Sequence, residues 1–389
     1  MRAYKTELLC SNEQKQKMAK SMGVCRFLYN SFIGYNQELY QKGEKFCGGM
    51  SYDKYANHTL SVEKPWIKEI SSKARKKAIM NADTAFQKFF KGKAKYPRFK
   101  KKNRQDIGIY FPKNNKTDLT VERHRIKVPT MGWIRLKEKA YIPPGAHVSS
   151  VTITQKGDRY FISALVKEEA QTTPATPFAD GIGIDLGLKN FAITSDGRVF
   201  KNINKSPRIK RLEKKLRREQ RSLSRKFEHY KKLKQTKLEE NPTENQRKNV
   251  RKNITRVQNL HRRLTNIRNA YQNYVIREVV KTKPLYITLE KLNVKGMMKN
   301  KHLSKAISKQ KFYEFKLKLI QKCSFIGTEI REVGTFYPSS KLCSCCGVKK
   351  VKLSLSERVF NCDHCGASLD RDDNASLNLS KATEYTILT

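Results

Sequence analysis

Positive charge is the property that most limits how this chain can fold. Lysine and arginine together number 82 and aspartate and glutamate 35, which leaves a formal net charge of +47 on 389 residues. A compact body with that charge repels itself until a polyanion neutralises it. Nucleic acid is such a partner, and the release of its counterions favours binding. The composition therefore predicts a nucleic-acid-binding protein, since a merely well-solvated surface needs only a modest excess of either sign.

The nine cysteines are unevenly placed, and five of them lie within residues 343–365. The sequence contains no run of about 18 apolar residues, the length that a membrane span needs, and residues 1–9 lack the apolar stretch of a secretory signal. We therefore expect an intracellular protein, in which crowded cysteines favour metal binding over disulfides.

Two cysteine pairs have the spacing of a zinc site. Cys343-Ser344-Cys345-Cys346 is followed by fifteen residues and then by Cys362-Asp363-His364-Cys365. Paired C-x₂-C knuckles at this separation are typical of one four-thiolate structural zinc ion. The spacing predicts Cys343, Cys346, Cys362 and Cys365 as ligands and leaves Cys345 and His364 as bystanders. The remaining cysteines are interpreted as structural: Cys10, Cys25, Cys47 and Cys323.

The predicted secondary structure changes from helices to short strands at residue 96. Residues 11–95 have helical composition, with helices predicted over 14–28 and 73–90. The second of these helices has an apolar stripe assigned to core packing, with Lys73, Lys76 and Lys77 beside it as candidate phosphate or groove contacts. From 96 to 172 the pattern is of short strands, predicted over 107–111, 125–128, 133–137, 148–154 and 160–166. We expect a small β-barrel, with residues 1–9 adding a strand, and a linker over 172–178.

Residues 203–280 are predicted to form two basic helices with a break near residues 241 and 242. The second carries apolar residues at helical spacing together with arginines that include Arg251, Arg256, Arg262, Arg263 and Arg268. Because nearly every charge is positive, a nucleic-acid-facing helical hairpin is favoured over a salt-bridged solvated one.

Acids occur in two predicted buried strands and at the start of a predicted helix. Asp185 lies in the apolar run 181–187, and Glu290 ends the apolar run 285–290. Asp370, Asp372 and Asp373 precede a predicted helix, where an acid can also serve simply as a cap. A buried bare carboxylate is costly, so Asp185 must be paired or hold a metal. Acids from separate elements can hold two magnesium ions for phosphodiester cleavage. A dinucleotide-binding site at the glycines of 181–187 is excluded, because the third glycine and the opening helix are missing.

Short motifs run along nearly the whole chain: Arg2-Ala3-Tyr4-Lys5, Cys25-Arg26-Phe27-Leu28-Tyr29-Asn30, Tyr96-Pro97-Arg98-Phe99-Lys100, Gly183-Ile184-Asp185-Leu186-Gly187, Glu290-Lys291-Leu292, Tyr337-Pro338-Ser339-Ser340 and Asp370-Arg371-Asp372-x-Asn374-Ala375. Through these motifs the chain resembles the TnpB family of transposon-encoded, RNA-guided DNA nucleases, which are related to type V CRISPR effectors. In that family the acid two residues before the asparagine of the last motif is the third metal ligand, which corresponds to Asp372 here, with Asp370 as the alternative.

The resemblance implies a multi-domain α/β protein. A wedge-like β-barrel would comprise 1–10 and 96–172, with a helical recognition insert at 11–95. An RNase H-like, RuvC-like nuclease domain would comprise 173–340 and 368–389, including the basic hairpin at about 203–280. A zinc ribbon at 341–367 would be inserted in it. The expected nucleic-acid contacts are Lys73, Lys76, Lys77, Arg98, Lys100, Arg217 and Arg218.

The implied activity is RNA-guided, magnesium-dependent cleavage of DNA next to a short adjacent motif. Asp185, Glu290 and Asp372 would hold two Mg²⁺, and the cysteines one Zn²⁺. Guide RNA and target DNA would be the partners of a monomeric ribonucleoprotein in the cytoplasm of a bacterial or archaeal cell, associated with the nucleoid when it acts. Two alternatives stay open: a nuclease-inactive RNA-guided repressor, and an RNA-independent transposase or resolvase on the same fold.

Overall fold

The structure is a computed structural model, and it describes residues 1–102, 108–115, 118–168, 180–235, 244–354 and 356–388. The predicted linker at 172–178 and the break near residues 241 and 242 lie outside these ranges. The chain divides into two compact units, Met1–Glu169 and Ala170–Thr389. None of the described helices is both long and apolar enough to cross a membrane.

An antiparallel sheet of six strands organises the first unit. Its spatial order is β2-β5-β6-β1-β4-β3. The predicted N-terminal strand lies inside the sheet, where it pairs with β6 over seven residues and with β4 at its end. The hydrogen-bonded order of the described strands ends at β2 and β3, so closure into a barrel stays a prediction. The strands are β1 Arg2–Leu9, β2 Ile109–Pro112, β3 Arg125–Val128, β4 Gly132–Leu136, β5 Val148–Lys156 and β6 Arg159–Val166.

The helices of the first unit share a hydrophobic core with this sheet. Ser11 and Gln14 form a capping box at the start of the first helix, which explains why it begins there. Phe32 and Ile79 from the helices belong to the same buried cluster as Ile134 and Ile162 from the strands. The α-helices are α1 Asn12–Gln41, α2 Gly49–Tyr55, α3 Ser61–Glu63 and α4 Ser72–Phe90, with a π-helix at Ala56–Leu60 and a 3₁₀-helix at Pro65–Glu69.

A mixed sheet organises the second unit, in the order β14-β11-β10-β7-β8-β9. Strands β7, β10 and β11 are parallel, and β8, β9 and β14 join antiparallel at the two sides. A separate two-stranded sheet, β12-β13, lies within the cysteine-rich segment. The strands are β7 Ile182–Leu186, β8 Asn190–Thr194, β9 Val199–Lys201, β10 Tyr286–Glu290, β11 Glu329–Val333, β12 Val359–Asn361, β13 Ser368–Asp370 and β14 Thr386–Leu388.

The predicted helical hairpin is present between β9 and β10. Ile209 and Leu212 of its first helix pack against Leu260 and Leu264 of its second, so the apolar spacing forms the seam. We expected the charged residues of this hairpin to face nucleic acid, but the guanidinium of Arg268 makes its hydrogen bonds within the unit. The helices are α5 Pro207–Gln235, α6 Glu244–Lys281, α7 Val294–Met297, α8 Ser304–Gln310, α9 Phe312–Ile326 and α10 Arg371–Ser380, with a 3₁₀-helix at Ile203–Lys205.

Arg268 is partly buried and held by two partners. Its guanidinium donates to Glu213 at 2.8 Å and to Asn204 at 2.7 Å. Lys309 lies 2.7 Å from the same Glu213 carboxylate. An arginine shared in this way ties the hairpin to the residues around it.

Candidate active site and metal centre

Two of the predicted acids lie near the carboxyl ends of neighbouring parallel strands. Thr288 pairs with Gly183 and Leu289 with Ile184, so Glu290 and Asp185 follow side by side in register. In-register residues of parallel strands point to the same face of the sheet. The strand register therefore brings Asp185 and Glu290 together, although about a hundred residues separate them in the chain.

Helix α10 lies across the same face, directly on Gly183. A Cβ atom added to Gly183 would stand 2.1 Å from the carbonyl oxygen of Ser376 and 2.5 Å from the backbone nitrogen of Ser380. The glycine therefore allows a helix-to-strand approach that any side chain would block. Gly183 and Asp185 share a face because they are two residues apart, and Asp372 lies one helical turn before Ser376. The close contact thus brings Asp372 towards Asp185.

The acids at the start of α10 have different environments. Asp370 is the N-cap residue, and its carboxylate accepts a hydrogen bond of 2.9 Å from the backbone N–H of Asp372. One of these acids is thus a cap, as the sequence had left open. The charge of Asp372 is among those with the largest effects on Asp185. The cap role of Asp370 and the action of Asp372 on Asp185 both favour the prediction of Asp372 as the third ligand.

The electrostatics of Asp185 show that the three carboxylates interact. Burial, followed by the charges of Glu290 and Asp372, raises the pKa of Asp185 to about 7 against a smaller opposing effect of Arg371. The carboxyl therefore holds its proton until near neutral pH unless a cation takes the proton's place. In a chain with a net charge of +47, three mutually repelling acids are a place where a cation would be stabilised.

The four predicted cysteine ligands converge. Their sulfur atoms lie within 4.8 Å of one another, and among the described residues no other set of three or more ligand atoms does so. Sγ of Cys343 is 3.6 Å from Sγ of Cys365, and Sγ of Cys346 is 3.6 Å from Sγ of Cys362. Four sulfurs around a tetrahedral zinc ion at about 2.3 Å would be about 3.8 Å apart. The donor set and spacing therefore fit a four-coordinate metal ion.

Backbone amides also favour thiolates in this cluster. The N–H groups of Cys365 and His364 donate to Cys362 and lower the pKa of its thiol to about 6. Cys345 and His364 do not belong to the cluster, in agreement with the sequence interpretation. Cys25 and Cys323 are buried in hydrophobic cores, where burial raises the pKa of each thiol to about 12. Both are thus inert packing residues.

The segment that precedes the first cysteine pair is fixed to α10 by buried amides. Asn374 accepts from the backbone N–H of Ser344 at 2.9 Å and donates to the carbonyl of Leu342 at 2.7 Å. Asn378 donates to the carbonyls of Ser339 and Leu342, each at 2.7 Å. The helix that carries Asp372 therefore also holds the segment that leads into the four-cysteine cluster.

Ser339 joins this segment to the acids, because its buried hydroxyl donates to the carboxylate of Glu290. Sequence reasoning missed this contact and the roles of Asn374 and Asn378. All three residues stand in or near motifs already quoted, and asparagines four apart in a helix with an apolar face are a signal for buried amide contacts.

Three family models match this chain. "Probable transposase" matches residues 163–301, "Cas12f1-like, TNB domain" residues 312–379, and "Helix-turn-helix domain" residues 1–45. The protein of Escherichia coli (strain K12) named "Putative RNA-guided DNA endonuclease InsQ" is 29% identical over 98% of this chain and 92% of its own length. The similarity to the TnpB family that the motifs indicate is thus supported by a relative that matches over nearly the whole chain. A second relative, "Putative RNA-guided DNA endonuclease" of Streptomyces pristinaespiralis, is 28% identical over 98% of this chain and 89% of its own.

A solved structure has the same fold. The cryo-EM structure of the Cas12f1–sgRNA–target DNA complex matches with a TM-score of 0.59 and 15% identity, over 97% of this chain and 84% of that chain. The likeness confirms the predicted mixed α/β class. The helix-turn-helix model, by contrast, spans one strand and one long helix in this structure.

The predicted nucleic-acid contacts of this chain have different surroundings. Lys73 is exposed, whereas Nζ of Lys77 lies 5.4 Å from the ring centroid of Tyr110. Lys100 is partly buried, with Nζ 3.8 Å from the Tyr29 ring centroid and with its backbone held by both side-chain polar atoms of Asn30. Burial lowers the pKa of Lys100. The motifs at 25–30 and 96–100 thus meet at Lys100, which already has an aromatic partner. The remaining predictions are Lys76, partly buried, and Arg98, Arg217 and Arg218, exposed.

Zinc content is the first expected result. Purified protein should contain about one zinc per chain, and Cys362→Ser should lower that content, because a closed thiolate site binds zinc tightly. Metal analysis by mass spectrometry measures it. Cys345→Ser is the matched control within the first knuckle and should retain the metal. Equal zinc in both variants, or no zinc in the unmodified protein, would contradict the assignment.

Ser339→Ala should slow cleavage, since Glu290 loses the hydroxyl that fixes its carboxylate. We expect roughly a tenfold loss of rate, in line with about 1.5 kcal/mol for a hydrogen bond to a charged group. The adjacent Ser340→Ala is the matched control and should cleave normally. Ser339→Thr, which keeps the hydroxyl, should recover most of the rate. A rate for Ser339→Ala equal to that of the control would show that the contact does not position Glu290.

Proposed function

We propose that this chain is an RNA-guided DNA endonuclease that cleaves target DNA next to a short adjacent motif. The observation that carries the proposal is the in-register pairing that sets Asp185 beside Glu290 on the central strands of a mixed sheet, with Asp372 near enough for its charge to act on Asp185, in an otherwise strongly basic protein. The names of the relatives agree with it, and so does the complex of Cas12f1 with guide RNA and target DNA.

The residues present fit two divalent ions of the magnesium type. Carboxylate oxygens are the ligands that magnesium prefers, and cations relieve their mutual repulsion. Bound there, the ions would supply an activated water and stabilise the leaving oxygen of the phosphodiester. The protein's part is to hold the three carboxylates: Asp185 and Glu290 by strand register, Asp372 by the seating of α10, and Glu290 additionally by Ser339.

We further assign zinc to the cysteine cluster and a structural role to that zinc. Four thiolates leave no coordination position open for chemistry. The finer division of the chain is part of the same proposal. A wedge-like barrel would comprise 1–10 and 96–172, a recognition insert 11–95, a RuvC-like domain 173–340 and 368–389, and a zinc ribbon 341–367.

Copurification with RNA tests the guide. The chain expressed together with its flanking transposon end should carry a defined RNA through purification at moderate salt, because many lysine and arginine contacts to phosphate bind tightly. That binding should weaken steeply as salt rises, by about 0.7–0.9 log units per released counterion per decade of salt. Sequencing of the bound RNA and binding titrations at several salt concentrations provide the measurement.

Two outcomes would replace the proposal by its alternatives. If nucleic-acid-free protein cut a specific DNA site unaided, a transposase or resolvase would be the better description. If the RNA-loaded protein bound its target but left it intact in magnesium, a guided repressor would be. The two assays differ only in whether the RNA is present, so they separate the two alternatives directly.

A further inference from the structure

The end of α4 and the residues after it form an exposed surface on which aromatic rings and cations alternate. Four rings are partly in water: Phe89 is 36% exposed, Tyr96 41%, Phe99 45% and Phe90 56%. Residues 84–102 contain no aspartate or glutamate. We call this surface the aromatic–basic patch, and it comprises Lys88, Phe89, Phe90, Lys91, Lys93, Lys95, Tyr96, Arg98 and Phe99.

Packing on the core fixes several of the rings. The buried Phe86 lies 5.4 Å from Tyr96 and 5.9 Å from Phe90, centroid to centroid. Phe46 lies 5.2 Å from Phe90, and Phe89 lies 5.3 Å from Tyr96. The rings thus have one side against protein and another in solvent. Rings held in this way lose little conformational freedom when a ligand stacks on them.

The cations of the patch are available to a ligand. Lys88, Lys91, Lys93, Lys95 and Arg98 are all exposed, and none of them takes part in an ion pair within the described part of the chain. With no acid in the same stretch, the local potential is positive, and it favours an anionic partner. The patch therefore combines flat apolar faces with unneutralised positive charge.

We propose that the aromatic–basic patch binds an unpaired stretch of RNA, with bases stacked on the rings and phosphates held by the lysines. The proposal rests on the proposed function, which supplies a bound RNA. Aromatic platforms beside backbone-tracking cations are how proteins bind single strands without reading their sequence. A duplex is disfavoured, because its bases are already stacked and present no free face to a ring.

Two triple variants separate stacking from charge. One replaces Phe89, Phe90 and Tyr96 by leucine, which keeps the apolar packing on Phe86 but removes the flat faces. The other replaces Lys91, Lys93 and Lys95 by alanine. Both are made in the full chain, and thermal unfolding checks that each is folded. The probes are an unstructured oligouridine RNA and a blunt RNA duplex of equal length, each titrated over a range of salt concentrations.

The leucine variant should bind oligouridine at least about tenfold more weakly, with an unchanged dependence on salt, since stacking involves no counterion release. The alanine variant should also bind more weakly, but with a salt slope shallower by about 0.7 for each phosphate that is no longer neutralised. Duplex binding should be equal in the leucine variant and the unmodified protein. Tyr96→Phe, which keeps the ring, should bind oligouridine normally.

Equal oligouridine affinity of the leucine variant and the unmodified protein would overturn the proposal. So would a loss of binding to vesicles containing anionic lipid without a loss of RNA binding, because the patch would then be a membrane contact. A change from dimer to monomer in the leucine variant, with RNA binding intact, would assign the patch to a second copy of the chain. Failure of the unmodified protein to bind any RNA would instead count against the guided function itself.

Discussion

Asp185→Asn and Glu290→Gln should each lower the rate of DNA cleavage by roughly three orders of magnitude or more, because each removes a carboxylate from the metal-binding set. Binding of RNA and of target DNA should stay nearly unchanged, since the proposed role of these acids is to hold ions and not substrate. Single-turnover cleavage in magnesium and filter binding of the same RNA-loaded preparations provide the two measurements. Cleavage at the unmodified rate by either variant would refute the assignment.

Unfolding of the magnesium-free protein gives an independent check on Asp185. Its pKa in the folded protein is about 7, above its ordinary value of 3.8, so the folded state favours the proton. Ionisation of Asp185 therefore lowers the stability of the fold as the pH rises from about 4 to 7, and the cost is complete above 7. Asp185→Asn should consequently become progressively more stable than the unmodified protein over this range. A constant difference in Tm from pH 4 to pH 8 would contradict the environment described for Asp185.

Asp372→Asn should abolish cleavage as completely as the changes at Asp185 and Glu290, whereas Asp370→Asn should leave it nearly intact. The two changes are chemically identical and lie two residues apart, so each is the control for the other. Asparagine at position 370 would remain a good N-cap, because its side-chain oxygen can accept the same backbone hydrogen bond. Asparagine at position 372 would lack the charge that acts on Asp185.

The contrast is measured as the ratio of the two cleavage rates at saturating magnesium. A large loss in Asp370→Asn with activity retained in Asp372→Asn would reverse the assignment. Equal losses in both variants would point to damage to α10 as a whole, and thermal unfolding would then show a lowered Tm in each.

The strands that carry the acids could be predicted because the residues within each strand are enough to indicate a buried strand. An apolar, β-rich run that contains a single acid near its end is typical of a buried strand leading into a site. Residues 182–186 and 286–290 are strands as predicted. The four-cysteine cluster could be predicted equally well, since the spacing of each cysteine pair involves only a few neighbouring residues. The helix over 73–90 was found to within one residue, because its apolar stripe packs on the core of its own unit.

Features that depend on distant partners were missed. Strand β11 contains three charged residues among five and gives no clear alternation, yet it pairs along its whole length with β10. Ser339 looks like an ordinary loop residue until Glu290 is placed beside it. The ion pair of Arg268 was missed for the same reason, because its partner Glu213 lies on another helix and the local pattern showed only positive charge.

The seating of α10 on Gly183 also sets the order in which the site can assemble during synthesis. Strand β7 leaves the ribosome long before α10, and Asp372 is the last of the three acids to be made. Parallel pairing of β7 with β10 must itself wait for the whole helical hairpin between them, and such long-range contacts form slowly. The growing chain therefore displays most of its positive charge to cellular nucleic acid while the carboxylate set is still incomplete. During synthesis the chain can bind nucleic acid before the proposed cleavage site is complete.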